Sequence, residues 1–298
     1  MILRLVLLTL WGSGLLACHS VHYVQVQDLS AFLAPVSPDV PPVSAHRAGG
    51  YYPGYPENAL RSMRHLLRHT SSLLEVDVQM SADSVLFLLH DGELTRTTTG
   101  EGLAAEQSWA ALRRLRLTDI EGEATQARIP RLNRVLHWAR GKAILTLDVK
   151  RGIPWEMVIE AVREAEAENY VVLITYSLQE ALSVHRLAPD LMLSVSISDQ
   201  EILAAYLAAG LPADRLIAFT GLSPVSPAFL QRLHQAGIPA MMGTLGRLDQ
   251  EIAATGTDSL YRVWRGEGVD IFATDRPLEV ARALKEASSP AAAPVSGP

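Results

Sequence analysis

Short apolar runs separated by amphipathic stretches recur along this chain from residue 43 to residue 274. VSAH (43–46), LLEVDV (73–78), VLFLLH (85–90), AILTLDV (143–149), VVLIT (171–175), LMLSVSI (191–197), RLIAF (215–219), AMMGT (240–244) and IFAT (271–274) have strand length and bounding turn residues. Between them, ENALRSMRHLLRH, PWEMVIEAVREAEAE, SLQEALSVHRL and SPAFLQRLHQAG carry apolar residues at helical spacing. Strands alternating with helices imply a parallel sheet with crossover connections, and this many units favour closure into an α/β fold of the TIM type, a (β/α)8 barrel. Nine candidates are one too many for eight staves. The six-residue link Gln79–Ser84 is too short for a helical crossover, so the runs it joins are not expected to be ordinary βα neighbours. Residues 92–129, rich in Thr, Gly and Glu, show little strand character and are expected to form an excursion that caps one end of the barrel.

Charge narrows the partners. The 298 residues carry a formal net charge of −6 with 48% hydrophobic and 19% charged residues, which provides ample material for a core. No cluster of Lys and Arg and no aromatic-studded basic stripe runs along the sequence, which argues against nucleic acid as the main partner.

The first residues read as an address. Arg4 supplies a minimal positive region, Leu5 to Trp11 an apolar one, and Leu15-Leu16-Ala17-Cys18 a processing site that resembles a bacterial lipobox. This implies a signal peptide of the lipoprotein type over 1–17 and a lipidated Cys18. The expected location is then the bacterial envelope, on a membrane anchor facing the periplasm or the exterior. A plain secretory signal with an incidental cysteine is the alternative. Cys18 is the single cysteine, so no intrachain disulfide can form. Pro35, Pro38, Pro41 and Pro42 suggest an extended tether over 18–42. The barrel is expected over 43–287, and SSPAAAPVSGP makes 288–298 a solvated, disordered tail.

Strand geometry gathers the ionisable residues. Side chains alternate along a strand, so Glu75 and Asp77 share a face, as do Asp148 and Lys150. In a parallel barrel these strand ends meet at the C-terminal mouth, where His46 and His90 also fall. Carboxylates that close repel one another, and a bound divalent cation keeps them ionised. All-oxygen ligation suits Mg²⁺ or Ca²⁺ rather than zinc.

Taken in order, AHRAGGYYPGYPENAL, LLEVDVQMSADSVLFLLHDGELTRTTTG, LTLDVK and GVDIFATDRP resemble the glycerophosphodiester phosphodiesterase family across residues 45 to 277. The resemblance implies a metal-dependent hydrolase that cleaves small glycerophosphodiesters to an alcohol and glycerol 3-phosphate. It makes His46 and His90 the acid/base pair and Glu75 and Asp77 metal ligands. Arg47 and Lys150 would hold phosphate oxygens, and Glu57 and Asn58 would line the mouth. The excursion at 92–129 falls where the family carries a small inserted subdomain. Three departures stand out. The opening reads His46-Arg47-Ala48-Gly49-Gly50 where the family has His-Arg-Gly, Asp148 replaces the usual third-ligand Glu, and MMGTLGRLD replaces a Trp-Thr strand, removing an aromatic wall beside the substrate.

Other readings stand beside these. Asp91 either orients His90 or turns the chain after it. Tyr51, Tyr52 and Tyr55 either stack against a cationic head group or pack as a lid. Asp275 before Arg276-Pro277 reads as a helix N-cap, and His65, His69, His137, His185 and His234 lie in helical stretches as structural or solvated groups. Lysophospholipase D or phospholipase C-like chemistry is the nearest alternative activity, and a catalytically weak envelope binding protein is the alternative class. No heptad or exposed apolar stripe announces an oligomer.

Overall fold

Eleven strands are seen in the computed structural model, which describes residues 21–37 and 40–285. They are β1 (Val43–Ala45), β2 (Leu73–Met80), β3 (Leu86–Leu88), β4 (Arg116–Thr118), β5 (Ala124–Arg128), β6 (Ile144–Val149), β7 (Val171–Thr175), β8 (Met192–Ser196), β9 (Leu216–Phe219), β10 (Ala240–Gly243) and β11 (Ile271–Thr274). Eight of them, β1, β2 and β6 to β11, pair in parallel around a closed circuit in which β1 meets both β2 and β11. This is a TIM barrel. The surplus candidate is β3, which lies antiparallel on the outer end of β2, with Val78 opposite Leu88. A turn over Ser81–Val85 suffices for that pairing, as the short link required.

Alternation sorts the side chains into two cores. Leu74, Val76, Leu145, Leu147, Val171 and Leu173 face outward onto the apolar sides of the crossover helices. Helix Leu60–Leu67 shows how: Leu60, Met63, Leu66 and Leu67 are buried while Arg61 and Arg64 stay exposed. The inward set is layered. Leu73, Ile144, Val172, Met192, Ile217, Met241 and Ile271 form an apolar floor, and the residues two further along β2 and β6 are the polar Glu75 and Thr146.

The floor is closed from below by residues expected to be an extended tether. Val24, Leu29, Leu33 and Val40 are buried against it, and Asp28 caps the short helix Leu29–Phe32 by accepting from the backbone of Ser30 and Ala31. Backbone bonds from His22 to Leu67 and from Val24 to Lys142 fasten the segment to the barrel. Over residues 24–37 and at Val40 the spacer reading is therefore corrected. Its prolines limit helix length, but the aliphatic residues beside them bury on a barrel end that would otherwise be wet.

The excursion also departs from expectation. It contains an antiparallel pair, β4 and β5, with Thr118 opposite Ala124. Residues alternate between exposed and half-buried along β5, so no apolar period marks it in the sequence. Leu94, Leu112, Leu117 and Ile129 give the insertion its own small core with Phe87 and Leu89. It leans on the barrel mouth, where Gly54 N–H donates to Asp119 at 2.6 Å. The leader 1–17, Cys18 and the tail 288–298 lie outside the described residues. No described helix is long and apolar enough to cross a membrane.

Candidate active site

The loop after β1 sets the geometry of the mouth. Arg47, Ala48 and Gly49 follow one another in the left-handed region at φ 49°, 56° and 76°. Ala48 therefore keeps the conformation that a glycine would adopt freely, at a cost of about 1–2 kcal/mol. Turning this way aims the Arg47 backbone N–H at Glu75 Oε2, 2.6 Å away. Gly50 is required for the next step: a Cβ there would lie 2.2 Å from the Cα of Glu57. The close approach tucks Glu57 and Asn58 under the loop, both buried.

Register brings the carboxylates together. Asp77 and Asp148 are direct partners across β2 and β6, and Glu75 sits one inward position below Asp77. Ligand oxygens of Glu75, Asp77 and Asp148 lie within 4.8 Å of one another. Asn58 fixes Asp77 from both sides, donating from Nδ2 to Oδ2 at 2.7 Å and accepting the Asp77 N–H at 2.9 Å. Lys150 Nζ bridges Asp77 Oδ1 at 2.5 Å and Asp148 Oδ2 at 2.6 Å. Burial pulls the Lys150 ammonium down, but the Asp77 charge and the bond to Asp148 outweigh it and hold it above its ordinary value. Glu75 is pushed well above the usual carboxylate range by burial and then by the Asp77 charge. Three carboxylates face one ammonium, and each hangs from a rigid strand. That donor set fits a hard divalent cation.

The two histidines are each oriented by a carboxylate. His46 Nδ1 lies 2.6 Å from Asp275 Oδ1, and His90 Nδ1 lies 2.6 Å from Asp91 Oδ1. An ionised carboxylate only accepts, so Nδ1 carries the hydrogen and Nε2 of the neutral ring is left for proton transfer. Both carboxyls are stabilised as anions. The bidentate Arg96 contact, ahead of the His90 bond, drives Asp91 far below its usual range. For Asp275, burial works against ionisation, but the bond and charge of His46 and the Gly246 N–H prevail. Tyr51 stacks on His46 with ring centroids 5.9 Å apart, and its hydroxyl also reaches Asp275.

Arg96 ties the insertion to this arrangement. It donates twice to Asp91, from Nε at 2.6 Å and Nη2 at 2.8 Å, and twice to Glu57, at 3.0 Å each. Glu57 in turn accepts from Arg47 Nη1 at 3.1 Å, and Arg47 Nη2 donates to His90 Nε2 at 2.8 Å. A ring of charge-assisted bonds thus runs from His90 through Asp91, Arg96, Glu57 and Arg47 back to His90.

Behind this ring is a cavity of 260 Å³ inside the barrel. Its lining mixes the polar Ser44, Thr146 and Ser194 with the apolar Ile174, Phe219 and Met241, Ile174 standing directly beside Ser194 across β7 and β8. The Thr146 hydroxyl is buried without a partner. Phe219, at the end of β9, and Tyr176, just after β7, supply aromatic surface to this cavity.

All the candidate residues from His46 to Lys150 meet at one mouth. Asp91 takes the orienting alternative. Asp275 is not an N-cap: its side chain turns to His46 and to the Gly246 N–H at 2.7 Å rather than to its own helix. The three tyrosines all make contacts within the protein, Tyr51 with His46 as above. Tyr52 donates to Glu279 and Tyr55 stacks on His65 at 3.8 Å. Arg96, Asp275 and Thr146 escaped the sequence reading as site residues, although all three stand inside quoted motifs.

Fold and mouth together define a (β/α)8-barrel enzyme with its reactive groups at the C-terminal face. The chain belongs to the glycerophosphoryl diester phosphodiesterase family, which matches residues 46–279, and it is a phosphoric diester hydrolase. A crystal structure of a glycerophosphoryl diester phosphodiesterase from Parabacteroides distasonis is 31% identical, covers 93% of this chain and 98% of its own, and superposes with a TM-score of 0.83. A glycerophosphodiester phosphodiesterase from Bacillus altitudinis is 30% identical over 165 residues, 53% of this chain and 66% of that one. An Oleispira antarctica phosphodiesterase, solved with the product sn-glycerol-3-phosphate, shares the fold at 23% identity, 83% of this chain, 97% of its own and a TM-score of 0.65.

Proposed function

We propose that the protein hydrolyses glycerophosphodiesters to an alcohol and glycerol 3-phosphate, using Mg²⁺ or Ca²⁺ held by Glu75, Asp77 and Asp148. The observation that carries this reading is the pair of imidazoles, each oriented by a carboxylate, on a mouth that also holds the three-carboxylate group. A phosphodiester is a stable anion with a poor alkoxide leaving group, so its charge must be neutralised and its departing oxygen protonated. The cation, when bound, supplies Lewis acidity toward a phosphoryl oxygen. Arg47 adds a planar fork suited to phosphate, and Lys150 adds a point charge. Of His46 and His90, one, neutral, removes a proton from the nucleophile through Nε2, and the other, entering as the imidazolium, delivers its Nε2 proton to the leaving oxygen. Asp275 and Asp91 hold the tautomers this needs and stabilise the imidazolium as it forms. Arg47 Nη2 now rests on His90 Nε2. Phosphate arriving at Arg47 would draw the guanidinium away and free that nitrogen, coupling substrate entry to readiness of the ring.

The product complex of the Oleispira relative supports glycerol 3-phosphate as the product here. The test is its release from glycerophosphocholine and glycerophosphoethanolamine, with EDTA and after restoring Mg²⁺ or Ca²⁺. Release abolished by EDTA and recovered with one of the ions is the expected result; release indifferent to EDTA would overturn the metal assignment. The apolar residues in the cavity lining and the exposed Leu222 and Tyr176 among them favour a second reading, lysophospholipase D action. Faster turnover of lysophosphatidylcholine than of glycerophosphocholine would select it.

A further inference from the structure

Away from the mouth, on the outer wall of the barrel, five arginines gather in a groove of 560 Å³. Arg61, Arg64 and Arg68 lie along helix Leu60–Leu67 and its C-cap, Arg128 ends β5, and Arg134 projects from helix Leu132–Ala139. All five are exposed, and no carboxylate lines the groove. Among the described residues Arg64, Arg68 and Arg134 form no ion pair. β4 also sets Arg116 directly opposite Arg128, so positive charge is concentrated on this ribbon, although Arg128 Nη1 already donates to the carbonyls of Arg113 and Arg114. No basic run in the sequence announces this face, because it is assembled from three separate elements. Its charge opposes the −6 of the whole chain.

We propose that this groove docks the protein side-on against the anionic phospholipid headgroups of a membrane. Guanidinium groups suit phosphate oxygens, and an open row of exposed arginines suits many phosphates spread over a surface. Stacked bases are not the match: the groove's single aromatic, Tyr55, is already engaged by His65 at 3.8 Å and by Arg61 at 5.2 Å. The chain's path selects the membrane as the source of phosphate. His22 N–H donates to Leu67 O at 2.7 Å, so the N-terminal segment reaches the barrel beside Arg68, at one end of the groove. Cys18 precedes His22 by four residues, a span of at most about 14 Å. For orientation the proposal rests on lipidation of Cys18, which would hold this face at the bilayer. A basic patch beside an acyl anchor adds a second membrane signal.

The described residues form a closed barrel with its own cores, so the chain from residue 19 onward can be used without its anchor. It is sedimented with vesicles of phosphatidylcholine alone and with vesicles containing about one third phosphatidylglycerol. The expected result is binding to the anionic vesicles only, weakening as salt is raised. In the triple variant Arg64→Gln, Arg68→Gln, Arg134→Gln, the partition coefficient should fall about a hundredfold, at about fivefold per charge. A control triple of exposed arginines elsewhere, Arg186→Gln, Arg232→Gln and Arg247→Gln, should lose much less. Equal losses in the two triples, or binding to neutral vesicles as well, would overturn the proposal. So would displacement by inorganic phosphate beyond that by chloride of equal ionic strength, which would mark a discrete phosphate site instead. The readout involves no turnover, so its failure is distinct from failure of the hydrolytic reading.

Discussion

Arg96 is the residue on which two halves of the mouth depend, because it holds both Asp91 and Glu57 in bidentate bonds. It touches neither the three carboxylates nor the cavity, so it is a positioning residue. Arg96→Met is expected to lower kcat by about 10–100-fold with a smaller change in KM, as removal of an orienting partner does. Combined with Asp91→Asn, the loss should be less than additive, since both break one network. Stability carries a separate signature. Asp91 ionises far below the ordinary carboxylate range when folded, so its contribution is fully present above the unfolded pKa of about 4 and disappears as pH falls through the folded value. The difference in unfolding free energy between wild type and Arg96→Met should therefore be constant from neutral pH to about pH 5 and narrow below it; a gap that widens in acid would count against the pairing. Asp275 gives the second prediction at this scale. Asp275→Asn preserves shape but replaces an acceptor with a group that can present N–H to His46 Nδ1, favouring the wrong tautomer. A fall in kcat of about 10²–10⁴ is expected, with the far-ultraviolet circular dichroism unchanged. The motif residues themselves were legible from alternation, which already set Glu75 with Asp77 and Asp148 with Lys150. Arg96 and Asp275 were not, because their importance lies in which distant side chain each one meets, and no local spacing encodes a partner 39 or 229 positions away.

At the level of elements, the barrel follows from the run lengths, and the surplus strand was recognisable from a link too short to cross over. The floor was not. Val24, Leu29 and Leu33 precede a run of prolines, and a segment with one four-residue helix has too little periodicity to register. Its burial nevertheless closes the end of the barrel opposite the mouth, where Leu73, Ile144 and Ile271 would face water. Leu33 is completely buried, and Leu33→Ala should destabilise by about 3 kcal/mol, measured by urea unfolding. The kcat/KM should stay within about twofold, because independent distant sites combine additively. A truncation before residue 43 that unfolds at the wild-type urea midpoint would show that the segment is a passenger after all. The hairpin β4–β5 was hidden for a different reason: it is a polar ribbon held by backbone pairing and by Arg128 donating to the carbonyls of Arg113 and Arg114.

For the molecule as a whole, the remaining issue is where it works. The sequence opens on an apolar stretch followed by Leu-Ala-Cys, and a groove rich in arginine lies at the point where the N-terminal segment joins the barrel. Either feature alone has a plain explanation, a secretory signal or an incidental basic surface. Together, with Cys18 lipidated as proposed, they would specify an orientation, because an anchor there could not extend farther from His22 than about 14 Å. A soluble form would have no use for that alignment. Cys18 is also the only cysteine, so lipid attachment can be read without ambiguity. Cells fed an alkyne-tagged fatty acid should label the wild-type chain, with the mature form pelleting with membranes and resisting release by high salt. Cys18→Ser should abolish the label. The basic groove would then hold the processed chain only by electrostatics, so that high salt strips it from the membrane fraction. Wild-type protein that carries no label, and whose single thiol reacts with maleimide after denaturation, would instead mark a plain exported enzyme. In that case the groove would have to act without an anchor, and the salt-sensitive binding expected of it would be the whole of its attachment.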